Sequence, residues 1–130
     1  MAVEIKVPIS PGELVDKITI LEIKSARMTD PAKLANVRTE LGLLNDTWRA
    51  SAYASHDIAA QWAALRKINE KLWDIEDDIR DKERSRTFDQ QFIELARAVY
   101  VTNDERAAVK RDINTRLGSK IVEEKSYAKY

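Results

Sequence analysis

The sequence contains no cysteine, one histidine, three glycines and three prolines among its 130 residues. Without cysteine there is no disulfide, no thiol nucleophile and no thiolate metal site, and a single His56 excludes a polyhistidine metal centre. Any metal would have to be held by carboxylates. Because glycine and proline are the residues that interrupt helices, their scarcity favours a mainly helical chain.

The chain also lacks a net charge and a long apolar run. Its 22 basic and 22 acidic residues cancel, so its overall field attracts neither nucleic acid nor an anionic membrane, and we expect neither as a partner. No signal-peptide pattern and no apolar stretch of about 18 residues is present. We expect a cytoplasmic protein with one domain at 1–130, comprising an extended arm at 1–9, a helical body and a tail at 119–130.

Helical periodicity predicts five helices, over about 11–28, 31–49, 57–84, 89–101 and 103–117. Starts are indicated by Ser10-Pro11-Gly12-Glu13, by Asp30-Pro31 and by Thr102-Asn103-Asp104-Glu105, and Gly118 suits a helix end. Apolar residues of the second and third predicted helices recur at steps of three and four. These seams predict a long antiparallel hairpin of the coiled-coil type, with the other three helices packed against it. The predicted fold class is therefore all-α.

The first residues alternate like a strand, with Val3, Ile5, Val7 and Ile9 separated by polar residues or proline. A lone strand leaves its backbone groups unpaired, so this arm needs a partner. The partner is either the tail around Ile121 or the same arm in a second copy. The first predicted helix is in addition apolar on two faces. Together these features favour a homodimer.

The third predicted helix carries acids opposite its apolar seam. At about 100° per residue, a seam running from Leu65 to Ile79 lies nearly opposite a stripe of carboxylates. This acidic stripe is either a solvated surface or a landing face for a divalent cation or a basic partner. It consists of Glu70, Asp74, Asp77 and Asp81.

The flank of the same helix offers a candidate cleft. Asn69, Glu76 and Arg80 lie beside the seam, where a neighbouring helix can cover them, and they are our candidate catalytic residues. Glu22 on the first helix and Glu76 are the candidate metal ligands. Two helices with spaced carboxylates are similar to the all-α nucleoside triphosphate pyrophosphatases, although the spacing here departs from their motifs. If the chain is such a hydrolase, its cofactor is magnesium; under the other interpretations no cofactor is predicted.

Two further features have alternative interpretations. Trp73 lies off the seam, so it either packs under another helix or forms a platform for a partner. Polar side chains also gather around the predicted junction of the fourth and fifth helices. They serve either as ordinary caps and ion pairs or as an anion site at a helix N-terminus. These residues are Arg97, Tyr100, Asn103, Asp104 and Arg106.

Several stretches together resemble a bacterial family of small uncharacterised helical proteins, classified as a domain of unknown function. They include VPISPGELVDKITILEIK (7–24), LWDIEDDIRDKE (72–83) and FIELARAVYVTNDERAAVKRDIN (92–114). The resemblance assigns no catalytic residues. It implies that the gene for this chain lies near genes for surface glycans and glycosyltransferases. We therefore expect a non-enzymatic homodimeric interaction or accessory protein linked to surface-glycan assembly. The alternative is a magnesium-dependent hydrolase of a nucleotide or another phosphorylated small molecule.

Overall fold

The computed structural model describes residues 3–130, and four helices make up its body. They are α1 (Pro11–Arg27), α2 (Pro31–Ala50), α3 (Ala59–Arg84) and α4 (Gln90–Leu117). No strand occurs within residues 3–130. The predicted all-α class is confirmed.

Two of the predicted helix boundaries follow from local chemistry. The Ser10 hydroxyl accepts a hydrogen bond from the backbone N–H of Glu13 at 3.2 Å, and Pro11 occupies the first position of α1. Gly118 ends α4 with φ 65°, a left-handed conformation that glycine adopts without a steric penalty. Asp30 precedes α2 as expected, but its side chain makes no capping hydrogen bond.

The predicted break at Thr102 is wrong, because α4 continues from Gln90 to Leu117. Thr102 is only 1% exposed and lies inside the helix. Since no glycine or proline occurs between these ends, nothing forces the backbone out of the helical conformation. A capping sequence therefore lies within a helix that tertiary packing holds together.

A long antiparallel hairpin is present, but α3 and α4 form it. The predicted pairing of α2 with α3 is wrong: α2 packs against α1, and α3 packs against α1 and α4. Side chains of α2 and α3 meet near their connection, where the Trp48 and Trp62 rings lie 5.4 Å apart. Apolar periodicity identifies the face that a helix buries, but it leaves open which helix covers that face.

Helix α1 is the centre of the fold and contacts each of the other three helices. Its buried apolar residues occupy both faces, as predicted, and include Val15, Ile18 and Ile23. Val15 joins the main core cluster with residues from the start of α3 and the end of α4. Because both faces of α1 are covered within one chain, α1 itself does not require a second copy.

The arm at 3–9 lies outside the helices and is exposed. Val3, Ile5 and Val7 are 82%, 91% and 67% exposed. Within residues 3–130, no backbone hydrogen bond joins the arm to the tail, so the strand pairing with the tail considered above does not form in the monomer. Searching the same residues finds no helix whose length and apolarity suffice to cross a bilayer.

Candidate functional site

A polar cluster lies buried where α1, α3 and α4 meet. Ion pairs and hydrogen bonds connect its members across the three helices, and we call it the polar core. Buried polar groups stabilise a fold only when their partners are present, so this cluster constrains how the helices pack. The polar core consists of Gly12, Glu13, Asp16, Thr19, Asn69, Lys110 and Asn114.

Lys110 connects three parts of the chain. Its Nζ lies 2.6 Å from Glu13 Oε2 and 3.9 Å from Asp16 Oδ2, both on α1, and 3.2 Å from Glu123 Oε2 in the tail. The Lys110 side chain is nearly covered. One buried ammonium thus ties α4 to α1 and to the tail through opposite charges.

Asn69 links α3 to α1 in the same cluster. Its side-chain amide donates to Asp16 Oδ1 at 2.9 Å and approaches Thr19 Oγ1 at 3.0 Å. The Thr19 hydroxyl in turn donates to the Asp16 backbone carbonyl at 2.9 Å. Our candidate catalytic residue Asn69 is therefore hydrogen-bonded between α3 and α1.

Gly12 sets the closest approach of α1 to α4. Its backbone N–H donates to Asn114 Oδ1 at 2.7 Å. A Cβ added at Gly12 would lie 2.5 Å from the Lys110 carbonyl oxygen and 2.8 Å from Asn114 Oδ1. Only glycine fits at this contact, because those distances are well inside van der Waals separation.

The charges of the polar core shift the pKa values of two groups in opposite directions. Burial by itself would raise the pKa of Glu13, but the hydrogen bond and charge of Lys110, aided by Lys17, hold it below its ordinary value. Burial would lower the pKa of Lys110, but Glu13 and the charge of Asp16 raise it above its ordinary value. Lys110 is therefore a cation at neutral pH that is held by the carboxylates of α1.

These pKa shifts predict that the free energy of unfolding is highest at intermediate pH and falls at both acidic and alkaline pH. Glu13 stabilises the fold above its unfolded pKa of 4.5, and this contribution is lost as pH falls through the lower folded value. Lys110 stabilises it fully below 10.5, and that contribution is lost as pH rises through the higher folded value. Urea unfolding across pH should show this maximum. Glu13→Gln should reduce the loss of stability at acidic pH more than Glu40→Gln, which changes an exposed residue of α2. Equal reductions in the two variants would contradict the assignment to Glu13.

The tail runs back along α4 and is held by ion pairs. Besides Glu123, Glu124 contacts Arg111 at 3.3 Å and Lys125 contacts Asp104 at 2.7 Å. The Tyr130 hydroxyl also donates to Asp104, whose pKa the hydrogen bonds from Lys125 and Tyr130 lower. Successive contacts from Lys110 toward Asp104 show that the tail lies antiparallel to the helix.

A cleft opens between α4 and this tail, which we call the tail cleft. Its volume is about 950 Å³, within the range of small-molecule sites. Three tyrosines contribute to its walls, and the Tyr100 and Tyr130 rings meet edge to face at 5.2 Å. Lys110 of the polar core also lines the tail cleft, so the two features are continuous. The α4 side carries Tyr100, Asn103, Asp104, Arg106 and Lys110, and the tail side carries Glu123, Lys125, Tyr127 and Tyr130.

Arg106 differs from Lys110 and Lys125, the paired lysines of this cleft. It is half-buried in the wall, and no carboxylate lies within ion-pair distance of it among residues 3–130. Tyr100, Asn103 and Asp104 line the same cleft, so four of the five residues expected around this junction lie together. The proposed helix N-terminus is absent there because α4 is continuous, and Arg97 is exposed and outside the lining.

The candidate metal and catalytic residues have basic or aromatic partners. Glu22 accepts from Arg66 at 3.2 Å and from the Trp62 indole at 3.3 Å. Glu76 pairs with Arg80 at 3.1 Å on an exposed surface of α3. Within the described chain, 3–130, no three acidic or histidine side chains converge as metal ligands would.

The acidic stripe is largely paired with arginines. Glu70 contacts Arg66 at 3.1 Å, Asp74 contacts Arg27 at 2.6 Å, and Asp81 contacts Arg84. Asp77 is exposed.

Trp73 is half-buried beneath the Arg27 guanidinium, which lies 5.7 Å from its ring centroid. Arg27 thus covers both Trp73 and Asp74, at the end of α1.

Sequence reasoning placed Asn69 beside a neighbouring helix but did not assemble the rest of the polar core, because its members are far apart in the chain. Lys110 did carry a signal, since it occupies the same helical face as Ala107, Ile113 and Leu117. A lysine in an apolar series indicates a buried ion pair. Gly12 and Asn114 carried none, because a close approach between helices depends on tertiary packing.

Comparison with known proteins identifies one family. The sequence model of the Family of unknown function (DUF6165) matches residues 5–130. No curated protein and no solved structure matches the chain. The match extends through the tail, so the family model spans every element of the polar core and of the tail cleft.

Proposed function

The chain belongs to the DUF6165 family, whose function is unknown, and we propose from its own geometry that it is a non-enzymatic binding protein for a phosphorylated sugar or sugar nucleotide. The tail cleft is the proposed site. The observation that carries the proposal is Arg106, a half-buried residue without a carboxylate partner among residues 3–130, in a cleft lined by tyrosines.

The lining residues supply the groups that such a ligand requires. A guanidinium binds phosphate through paired N–H donors, and this interaction is strong where water is partly excluded. Tyr100, Tyr127 and Tyr130 offer flat apolar faces with polar hydroxyls for a sugar or base ring. Asn103 adds a donor and an acceptor for ring hydroxyls.

A binding role fits this cleft better than a catalytic one, because its carboxylates Asp104, Glu123 and Glu124 are held in ion pairs. Lys110 is a cation fixed by carboxylates, and the remaining lining residues include no cysteine, histidine or serine–base pair. A cytoplasmic accessory protein of bacterial surface-glycan assembly, as the family resemblance implies, would use sugar nucleotides or glycan phosphates as ligands. This pathway is part of the proposal.

Arg106→Gln tests the proposal directly. Calorimetric titration with a panel of uridine and guanosine diphosphate sugars, sugar phosphates and inorganic phosphate should find binding to the wild type. The substitution should weaken it about tenfold or more, since a charge-assisted hydrogen bond contributes about 1.5–3 kcal/mol. Arg97→Gln is the matched control, because Arg97 is exposed on the same helix outside the cleft. Equal losses in both variants, or no binding by the wild type, would contradict the proposal.

The alternative is the magnesium-dependent hydrolase built on Glu22, Asn69, Glu76 and Arg80. This alternative is tested by repeating the titrations with millimolar magnesium and then measuring the release of phosphate from the same compounds. Turnover that Glu76→Gln removes and Arg106→Gln leaves unchanged would favour the hydrolase over the binding protein.

A further inference from the structure

We infer that the arms of two copies pair as antiparallel strands, in a register centred on Ile5, so that the protein forms a two-fold dimer. The segment that pairs is Val3-Glu4-Ile5-Lys6-Val7. This inference goes beyond the proposed ligand and does not depend on it, since the arm contributes nothing to the lining of the tail cleft.

The arm combines the alternating sequence of a strand with missing partners. Residues 3–9 form neither helix nor turn, and the side chains of Val3, Ile5 and Val7 are 82%, 91% and 67% exposed. Alternate residues of an extended segment point to one face, so these three form an apolar face. The other face carries Glu4 and Lys6, whose only ion pair in the described residues is with each other, at 3.8 Å. An exposed apolar strand with free backbone groups is a template for pairing.

The sequence is complementary to itself when reversed. With Ile5 on the two-fold axis, Val3 lies opposite Val7 of the second copy and Ile5 lies opposite Ile5. Glu4 then lies opposite Lys6 of the second copy, and Lys6 opposite Glu4. All apolar side chains share one face, and two opposite-charge pairs form on the other. An isologous interface requires this kind of self-complementarity.

Other arrangements lose the charge match. Parallel in-register pairing places Glu4 opposite Glu4, as does an antiparallel register centred on Glu4, and a register centred on Lys6 places lysine opposite lysine. Pro8 has no backbone N–H and limits the ladder to the residues before it. The chain beyond it is fixed, because Ser10 is buried at the start of α1.

The tail of a second copy is a poorer partner for the arm than the arm of that copy. Its apolar residues Ile121 and Val122 are adjacent, so in an extended strand they point to opposite faces. The next residues, Glu123 and Glu124, are held on α4 by Lys110 and Arg111. Pairing the arm with this segment would give neither a single apolar face nor a free strand edge.

Charge exchange on the arm tests both the partner and the register. Sedimentation velocity over a concentration series should show the wild type moving from 14.9 kDa toward twice that mass. Glu4→Lys and Lys6→Glu each place like charges at both ion-pair positions, so each should weaken self-association about tenfold. Mixing the two variants should restore association as a heterodimer, because every pair again has opposite charges. The double exchange in one chain should also restore it.

Matched controls separate this effect from net charge. Glu40→Lys and Lys33→Glu make the same charge changes on exposed α2 and should leave association unchanged. Circular dichroism should show the same helix content in all variants, since the arm lies outside the core. A monomeric wild type at every concentration overturns the inference. The inference is also overturned if Glu4→Lys and Lys6→Glu self-associate as strongly as the wild type. A third contradicting result is that Ile121→Asp weakens self-association while neither arm substitution does.

Discussion

Replacing Gly12 by alanine should destabilise the protein by about 3 kcal/mol. The new methyl group would meet the Lys110 carbonyl oxygen at 2.5 Å and Asn114 Oδ1 at 2.8 Å. Relieving the clash requires α1 and α4 to separate, and overpacking of this kind costs about 1–3 kcal/mol. Separation also stretches the hydrogen bond from the Gly12 N–H to Asn114, which adds about 1 kcal/mol. Urea unfolding followed by circular dichroism measures the effect as a lower midpoint.

Gly42→Ala is the matched control, because the chemical change is the same and the surroundings differ. A Cβ at Gly42 in α2 meets no atom within 4 Å. Alanine is the better helix former, so this variant should be more stable than the wild type by about 0.5–1 kcal/mol. The two substitutions should therefore change the free energy of unfolding in opposite directions. A stable Gly12→Ala variant would mean that α1 and α4 are not in close contact at this position.

Elements of the fold whose cause is local were predictable from the sequence. Ser10 caps α1 through its own hydroxyl, and Gly118 ends α4 through its own backbone conformation. The two apolar faces of α1 also followed from periodicity. The same reasoning misplaced a helix end at Thr102, because a residue with capping chemistry can lie inside a helix when packing holds the helix together.

The partners of helices and of charges were not predictable, since each depends on residues distant in the chain. The seam of α2 predicted the face that packs, on which Val37 is buried and the other members are half-buried, but assigned it to α3, whereas α2 packs against α1. Asn69 was expected on a flank that a neighbouring helix covers, and it bonds there to Asp16 and Thr19 on α1, but the other members of the polar core were not assembled. Tyr100, Asn103 and Arg106 were grouped correctly because they share one helix face. The tail that completes their cleft has no periodicity by which to place it.

Lys110→Met should cost about 3–5 kcal/mol and reverse the pH dependence of stability in mildly acidic solution. Methionine keeps most of the volume of lysine but leaves Glu13 and Asp16 without their buried cation, and removing one partner of a buried ion pair has a cost of this size. In the wild type, Lys110 holds the pKa of Glu13 below its ordinary value, so protonation of Glu13 destabilises the fold. Without Lys110, burial dominates and raises the pKa of this carboxyl. The folded variant then binds more protons than the unfolded chain, and its stability should increase as pH falls from 7 toward the ordinary pKa of 4.5.

Two further variants assign the effect of Lys110→Met to the buried ion pair. Lys17→Met removes a half-exposed cation that lies 3.7 Å from the same carboxylate, and it should cost less than about 1 kcal/mol because solvent screens the pair. Adding Glu13→Gln to Lys110→Met should recover part of the lost stability, since it removes a buried charge that has no partner, and the sum of the single changes should exceed the measured double change. Urea unfolding of the four variants at several pH values provides all of these comparisons. If Lys110→Met loses stability on acidification as the wild type does, Glu13 is not held by Lys110, and the polar core does not connect α1 to α4 through this charge.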